Sequence, residues 1–282
     1  MIDTNVNLSD EQKTKLQKLK DIIADLGSVA VGFSGGVDST LLLYTAHEVL
    51  GKGAVAITEN SASMPGREIG ETEAFCKEHG IRQFFCTVDP LSIDEFRNNA
   101  PDRCYHCKRL IFSEIKRIAE EIGIAHVAEG SNTDDMGDYR PGMRAIEELG
   151  IKSPLREAGL GKEDIRMLSR ALGLPTWSKP AYACLATRIA SGEEITEDKL
   201  RMIDKAEQFL IENGFLEERV RMHGDLARIE VPSSVIERLA SKEIREKVYE
   251  YLKGLGFRYV TIDAYGYKMG SMNGVPMTKN DI

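Results

Sequence analysis

Basic charge is in deficit along this chain: 37 Lys and Arg stand against 45 Asp and Glu, a net charge of −8. Contacts along a nucleic acid backbone need clustered cations, and no Lys/Arg-rich run supplies them, so nucleic acid is not an expected partner. Long apolar runs are missing as well. None approaches the roughly 20 residues of a membrane span, and the opening Met1-Ile-Asp-Thr-Asn-Val has no basic-then-apolar pattern of an export signal. The expected location is cytoplasmic, with no membrane partner. Cysteine is scarce and odd in number, five in all, which excludes a fully paired disulfide framework and leaves thiols or metal ligands. The chain also lacks a G-x-x-x-x-G-K-[ST] phosphate loop, any internal repeat and any low-complexity segment.

What the chain does contain is an apolar run from Val29 that breaks at Ser34, Gly35, Gly36, Val37, Asp38 and Ser39 and resumes as an apolar-periodic stretch to Leu50. This reads as strand, phosphate-sized loop and helix. The adjacent glycines let the backbone turn tightly and approach a ligand. Two hydroxyls and the amides opening the helix then make an anion nest. Asp38 is repulsive among phosphate-binding amides unless Mg²⁺ bridges carboxylate and phosphate oxygens, so the loop points to a metal–nucleotide complex, ATP with Mg²⁺. The six residues resemble the pyrophosphatase loop of the N-type ATP pyrophosphatases. That resemblance implies cleavage of ATP to AMP and pyrophosphate while a substrate oxygen is adenylated.

Around this loop the pattern alternates. A capping box at Ser9 and Gln12 opens a leading amphipathic helix. Strands are expected at 54–58, 81–88 and 125–129, with helices at 67–79, 110–122 and 161–172 between or after them. Alternation at this spacing indicates parallel βαβ units, an α/β fold with a doubly wound parallel sheet. Ligands sit at the carboxyl ends of such strands, which brings Thr58, Glu129 and Gly130 to the candidate nucleotide site. The turn 138–142 offers Arg140 toward the same cleft. A boundary is placed at 192, giving a nucleotide domain over 1–192 and a smaller α+β domain over 193–282. The second opens with a helix from Thr196 to Asn213, two short strands about Gly224-Asp225, a helix over 233–252 and a strand over 259–263.

Cys76 and Cys86 fall in a helix and an apolar strand and read as small buried hydrophobes. Cys104 and Cys107 have the spacing that lets two thiolates reach one metal, in a short loop ahead of a helix start that favours thiolate charge. By itself C-x-x-C fits a redox pair, half a zinc site, part of an iron–sulfur site or accident. Cys184 is the remaining unplaced thiol. Three thiolates suit a 4Fe-4S cluster with one open iron.

Over nearly its whole length the chain resembles the LarE family of ATP-dependent sulfur transferases, which build the thiocarboxylates of the nickel-pincer nucleotide cofactor. The likeness rests on Ser34 to Ser39, on Asp138-Tyr-Arg-Pro-Gly142, on Lys179-Pro-Ala-Tyr-Ala-Cys184 with Arg188, on Arg219-Val-Arg221 through Asp225-Leu-Ala-Arg-Ile-Glu230, and on Arg258-Tyr-Val-Thr-Ile-Asp263. The resemblance implies an adenine nucleotide alpha hydrolase-like domain and a pyridinium mononucleotide substrate bearing carboxylates. It also implies one of two sulfur sources. In one type, a cysteine in the region of Cys184 gives up its own sulfur. In the other, three cysteines hold a 4Fe-4S cluster whose open iron carries an extra sulfide, and the Cys104/Cys107 pair places this chain with that type. Arg219 and Arg221 alternate on one strand and so share a face; matching the family's arginine pair, they are candidate anchors for the substrate phosphate. Arg188 is a further candidate substrate contact. The family association implies a homo-oligomer. Rival readings are a tRNA thiolase of the same superfamily, an amide-forming ligase such as an NAD or GMP synthetase with incidental cysteines, and a sensor that binds without turnover.

Overall fold

The computed structural model describes residues 7–137, 141–180, 183–268 and 272. Arg140 lies outside them. The described chain falls into two compact units, one of Met1–Pro90 with Asp102–Tyr182 and one of Leu91–Pro101 with Ala183–Ile282.

In the first unit, α1 (Asp10–Leu26) starts at the capping box read from the sequence, Gln12 N donating to Ser9 Oγ and Ser9 N to Gln12 Oε1, both at 3.1 Å. Its Leu19 and Ile23 are fully buried. There follow β1 (Val29–Gly32), α2 (Val37–Leu50), β2 (Ala54–Asn60), α3 (Gly66–His79) and β3 (Arg82–Thr87). Beyond an excursion into the second unit that carries α4 (Asp94–Arg97) come α5 (Arg103–Glu121), β4 (His126–Ala128), α6 (Pro141–Glu148), α7 (Pro154–Glu157) and α8 (Lys162–Ala171). The four strands form one parallel sheet in the order β3-β2-β1-β4, with Val29 opposite Ala54 on one side and His126 on the other. An unbroken apolar run such as Val29-Ala-Val is what a strand covered on both faces requires. The chain winds outward from β1 to β3 and then returns to the other side of β1. The order therefore reverses at β1, and the crevice at that switch point opens beyond the strands' carboxyl ends. This is the α/β architecture expected.

The second unit carries α9 (Glu197–Glu212), β5 (Arg219–His223), β6 (Leu226–Glu230), α10 (Ile236–Ala240), α11 (Lys242–Leu255) and β7 (Tyr259–Ile262). Its sheet runs β5-β6-β7, antiparallel across the hairpin and parallel between β6 and β7.

Three details depart from the sequence reading. The units divide after Tyr182 and not after 192, and 91–101 joins the second unit; Ile195 N donates to Arg97 O at 2.7 Å and Asn99 Nδ2 to Ala190 O at 2.8 Å, which ties the excursion there. The single helix expected over 233–252 is two, because Ser241 is extended (φ −56°, ψ 146°) between α10 and α11. Cys104 and Cys107 lie inside α5 and not in a loop ahead of it; Tyr105 N already donates to Asp102 O at 2.8 Å. Among the described residues no helix is long and apolar enough to cross a membrane.

Candidate active site

The phosphate loop sits where β1 ends and α2 begins. Gly35 has φ +71°, a left-handed conformation, and a Cβ there would meet Thr72 Cγ2 at 3.1 Å, so α3 leaves room only for glycine. Gly36 is the N-cap of α2, and the Ser34 and Ser39 hydroxyls are 3.1 Å apart. Gly130, just past β4, packs on the same turn: a Cβ would come 3.0 Å from Ser39 N and 3.2 Å from Asp38 Cβ. The first turn of α2 thus presents its amides and Asp38 at the sheet's switch point.

Two lysines from distant parts of the first unit reach this loop. Lys162, the first residue of α8, places Nζ 2.5 Å from Asp38 Oδ2, while Asn132 Nδ2 donates to Asp38 Oδ1 at 3.2 Å. Lys179 Nζ donates to Gly35 O at 3.1 Å and to carboxylate oxygens of Glu68 (2.6 Å) and Glu71 (2.5 Å). Glu68 is buried at the first turn of α3; burial pushes its carboxyl up, and the Lys179 ammonium brings it only part of the way back. Thr58 is fully buried near the carboxyl end of β2, and its Oγ1 accepts from Gln83 Nε2 at 2.8 Å. Its side chain is engaged with β3.

In the second unit, arginines and glutamates interlock beneath a sheet. Arg188 has no exposed surface and grips Glu207 of α9 with two hydrogen bonds, Nε to Oε1 at 2.9 Å and Nη2 to Oε2 at 3.1 Å. Its Nη1 donates to Ala183 O at 2.8 Å and to Cys184 O at 3.3 Å. Burial alone would lower its pKa, but Glu207 outweighs it and the net direction is up. Arg221 bonds Glu230 at 3.0 Å and Thr187 O at 3.2 Å. Its pKa is lowered, by burial first and then by the neighbouring guanidinium groups of Arg188 and Arg219, which together outweigh Glu230. Arg219 stands over the Tyr267 ring at 5.0 Å. Arg228 completes the set with Glu230 (3.2 Å) and Asp263 (2.5 Å).

Cys104 and Cys107 are one turn apart on α5, the first exposed and the second buried, and Cys184 is the exposed N-cap of a short 3₁₀ turn. None is in a disulfide. The first two belong to the first unit and Cys184 to the second. Among the described residues no three His, Cys, Asp or Glu side chains are gathered as a metal set. Cys76 and Cys86 are buried, and burial pushes both thiols up to about 12, which leaves them protonated and inert, as expected.

No protein-family model matches the chain. Individual relatives do. Pyridinium-3,5-bisthiocarboxylic acid mononucleotide synthase of Lactiplantibacillus plantarum is 39% identical over 92% of this chain and 94% of its own length. The chain belongs to the LarE family. An uncharacterised protein of Synechocystis is 37% identical over 93% of this chain and 98% of its own. A glutamine-hydrolysing GMP synthase of Clostridium acetobutylicum is 26% identical over 76% of this chain and 46% of its own length, a likeness within the wider pyrophosphatase-loop superfamily. As a LarE-family member the chain is an enzyme of an ATP-using, sulfur-transferring kind.

Of the residues read from the sequence, the structure brings Ser34 to Ser39 and Gly130 together in one unit, and Arg219 and Arg221 with Arg188 in the other. The Arg188 guanidinium is engaged by Glu207 and by the carbonyls of Ala183 and Cys184. Sequence reasoning missed Lys162, Asn132 and Glu207. No local signal marks them, because the fold alone makes them neighbours of Asp38 and Arg188.

Proposed function

We propose that this enzyme adenylates a carboxylate of a pyridinium-3,5-dicarboxylate mononucleotide with ATP and replaces the activated oxygen with sulfur, yielding a thiocarboxylate. The observation that carries this reading is end-to-end kinship to the bisthiocarboxylic acid synthase, spanning both units. The loop at Ser34–Ser39 is the place for the β- and γ-phosphates of ATP. Mg²⁺, when bound at Asp38, offsets charge on the departing pyrophosphate; a carboxylate with a neutral amide beside it suits such a hard cation. The substrate carboxylate oxygen attacks the α-phosphorus and pyrophosphate leaves. A sulfur nucleophile then forms the C–S bond at the carbonyl, and the C–O bond to the adenylate oxygen breaks with loss of AMP. The loop amides are fixed in advance by Gly35 and by Lys179, so stabilisation needs little reorganisation.

Arg219 and Arg221 are the candidate holders of the substrate phosphate. Burial and like-charged neighbours both disfavour the charge on Arg221, and a bound anion would offset them. Cys104, Cys107 and Cys184 are the candidate ligands of a 4Fe-4S cluster: all three are outside disulfides, and two share the opening of one helix. Such a cluster, when bound, supplies sulfide. A homo-oligomer in the cytoplasm belongs to the same reading.

Protein purified without oxygen is to be incubated with ATP, Mg²⁺ and the mononucleotide. AMP, pyrophosphate and a product with sulfur in place of oxygen are expected; pyrophosphate release without any such product rejects sulfur transfer to this substrate. About four irons per chain, lost in Cys184→Ser, are expected for the cluster. Iron-free protein that transfers one sulfur per chain makes Cys184 a consumed donor instead.

A further inference from the structure

We propose that Lys162 is the resident counter-ion of the metal position at Asp38: its ammonium holds the carboxylate until a nucleotide-borne divalent cation displaces it, so metal enters more readily with nucleotide. The inference rests on the reading of Asp38 as a metal ligand and deepens it.

Asp38 has two neighbours of different kinds. Asn132 is a neutral amide at 3.2 Å from Oδ1, whereas Lys162 puts a full positive charge 2.5 Å from Oδ2. A dication on the same carboxylate would lie within a few ångströms of that ammonium, and such like charges repel strongly where solvent is partly excluded. One cation has to leave, and Lys162 is built to. Its main chain is fixed at the start of α8, the amide donating to Asp134 Oδ2 at 2.8 Å, while its four-carbon side chain remains about a third exposed. The tip can swing without disturbing the helix. Asn132 is anchored differently, its Oδ1 accepting from Asp134 N and its own backbone amide donating to Asp135, so it stays with the carboxylate through the exchange.

Free divalent metal meets a carboxylate already neutralised, and binds poorly. With ATP the phosphates bring negative charge to the loop, offsetting both the incoming dication and the released ammonium. The device disfavours metal in the loop without substrate.

The test uses Mn²⁺ alone, with unbound metal followed by electron paramagnetic resonance, on the full chain and its variants. Lys162→Met is expected to bind Mn²⁺ about three- to fivefold more tightly than wild type, with the gain abolished by adding Asp38→Asn. Lys162→Arg, which keeps the cation, is expected to resemble wild type. Lys162→Gln serves in the same role should Lys162→Met fail to fold. Equal Mn²⁺ binding by wild type and the neutral variants overturns the proposal, as does a gain that survives Asp38→Asn. A second arm adds an α,β-methylene ATP analogue to wild type, where recruitment of Mn²⁺ is expected. Failure of that arm alone rejects the nucleotide reading of the loop and leaves the metal-only comparison to decide the exchange.

Discussion

Charge is handled in opposite ways in the two units. At the phosphate loop, six contiguous residues arrange backbone amides and one carboxylate, and the cation that answers the carboxylate, Lys162, arrives on a partly exposed flexible stem. In the second unit, Arg188, Arg221 and Arg228 are tied to Glu207, Glu230 and Asp263 within 2.5 to 3.2 Å, and Arg188 and Glu207 have no exposed surface at all. The loop keeps its charge open for a ligand that comes and goes. The arginine cluster meets much of its charge internally, while burial and the neighbouring Arg188 and Arg219 disfavour the charge on Arg221. Partly exposed pairs are exchangeable because they contribute little, about 1 kcal/mol or less; buried pairs are permanent because breaking one strands its partner.

That contrast is broken most sharply at Arg188. Arg188→Met leaves Glu207 buried without its cation and is expected to cost about 3–5 kcal/mol, read as a large fall in the melting temperature. Replacing both partners, Arg188→Met with Glu207→Met, is expected to recover most of that loss, because two apolar side chains strand no charge. If the double variant is no more stable than the single, the pair is not the source of the cost. Asp38→Asn makes the opposite profile. It is expected to lower pyrophosphate release about 10³-fold while changing neither iron content nor melting temperature appreciably; retained turnover of ATP to AMP would remove Asp38 from the metal role.

Gly130→Ala probes how rigid the open site is. Its Cβ would meet backbone of α2 at 3.0 Å, an atom that cannot rotate away as a side chain would. A cost of about 1–2 kcal/mol is expected, with the affinity for ATP falling more than the melting temperature because the displaced atoms belong to the loop. An unchanged ATP affinity would mean that the turn relaxes freely.

The same contrast explains what the sequence could tell. The loop was legible because its residues are contiguous and its glycines have a stated geometric use; the α/β winding was legible from alternation alone. Arg219 and Arg221 were legible as a pair because strand periodicity puts them on one face, and the register shows that they alternate opposite Glu230 and Arg228. The pairing of Arg188 was not legible because burial of a single arginine leaves no periodic trace, and Glu207, 19 positions on, shows nothing that singles it out among the acidic residues of a helix. Lys162 and Asn132 are 124 and 94 positions from Asp38. Ser241 does carry a signal, being a residue type common at helix starts, and it marks the break between α10 and α11.

The smallest expected effect concerns Glu59, a half-buried carboxylate that accepts from two hydroxyls. Glu59, at the end of β2, accepts from Ser61 Oγ at 2.5 Å and Ser63 Oγ at 3.2 Å, and burial raises its pKa above the ordinary 4.5 in spite of both. A raised folded-state value means that the proton is bound more tightly in the folded chain. Glu59 therefore favours folding below pH 4.5 and loses that contribution as pH rises through its higher folded value. Glu59→Gln keeps an oxygen for both serines and carries no charge. It is expected to melt about 2 °C higher than wild type at pH 7, with the gap closing as the pH is lowered toward 4.5. A gap independent of pH would assign the difference to packing, and a variant less stable at neutral pH would mean that the hydroxyl pair alone suffices to hold the charge.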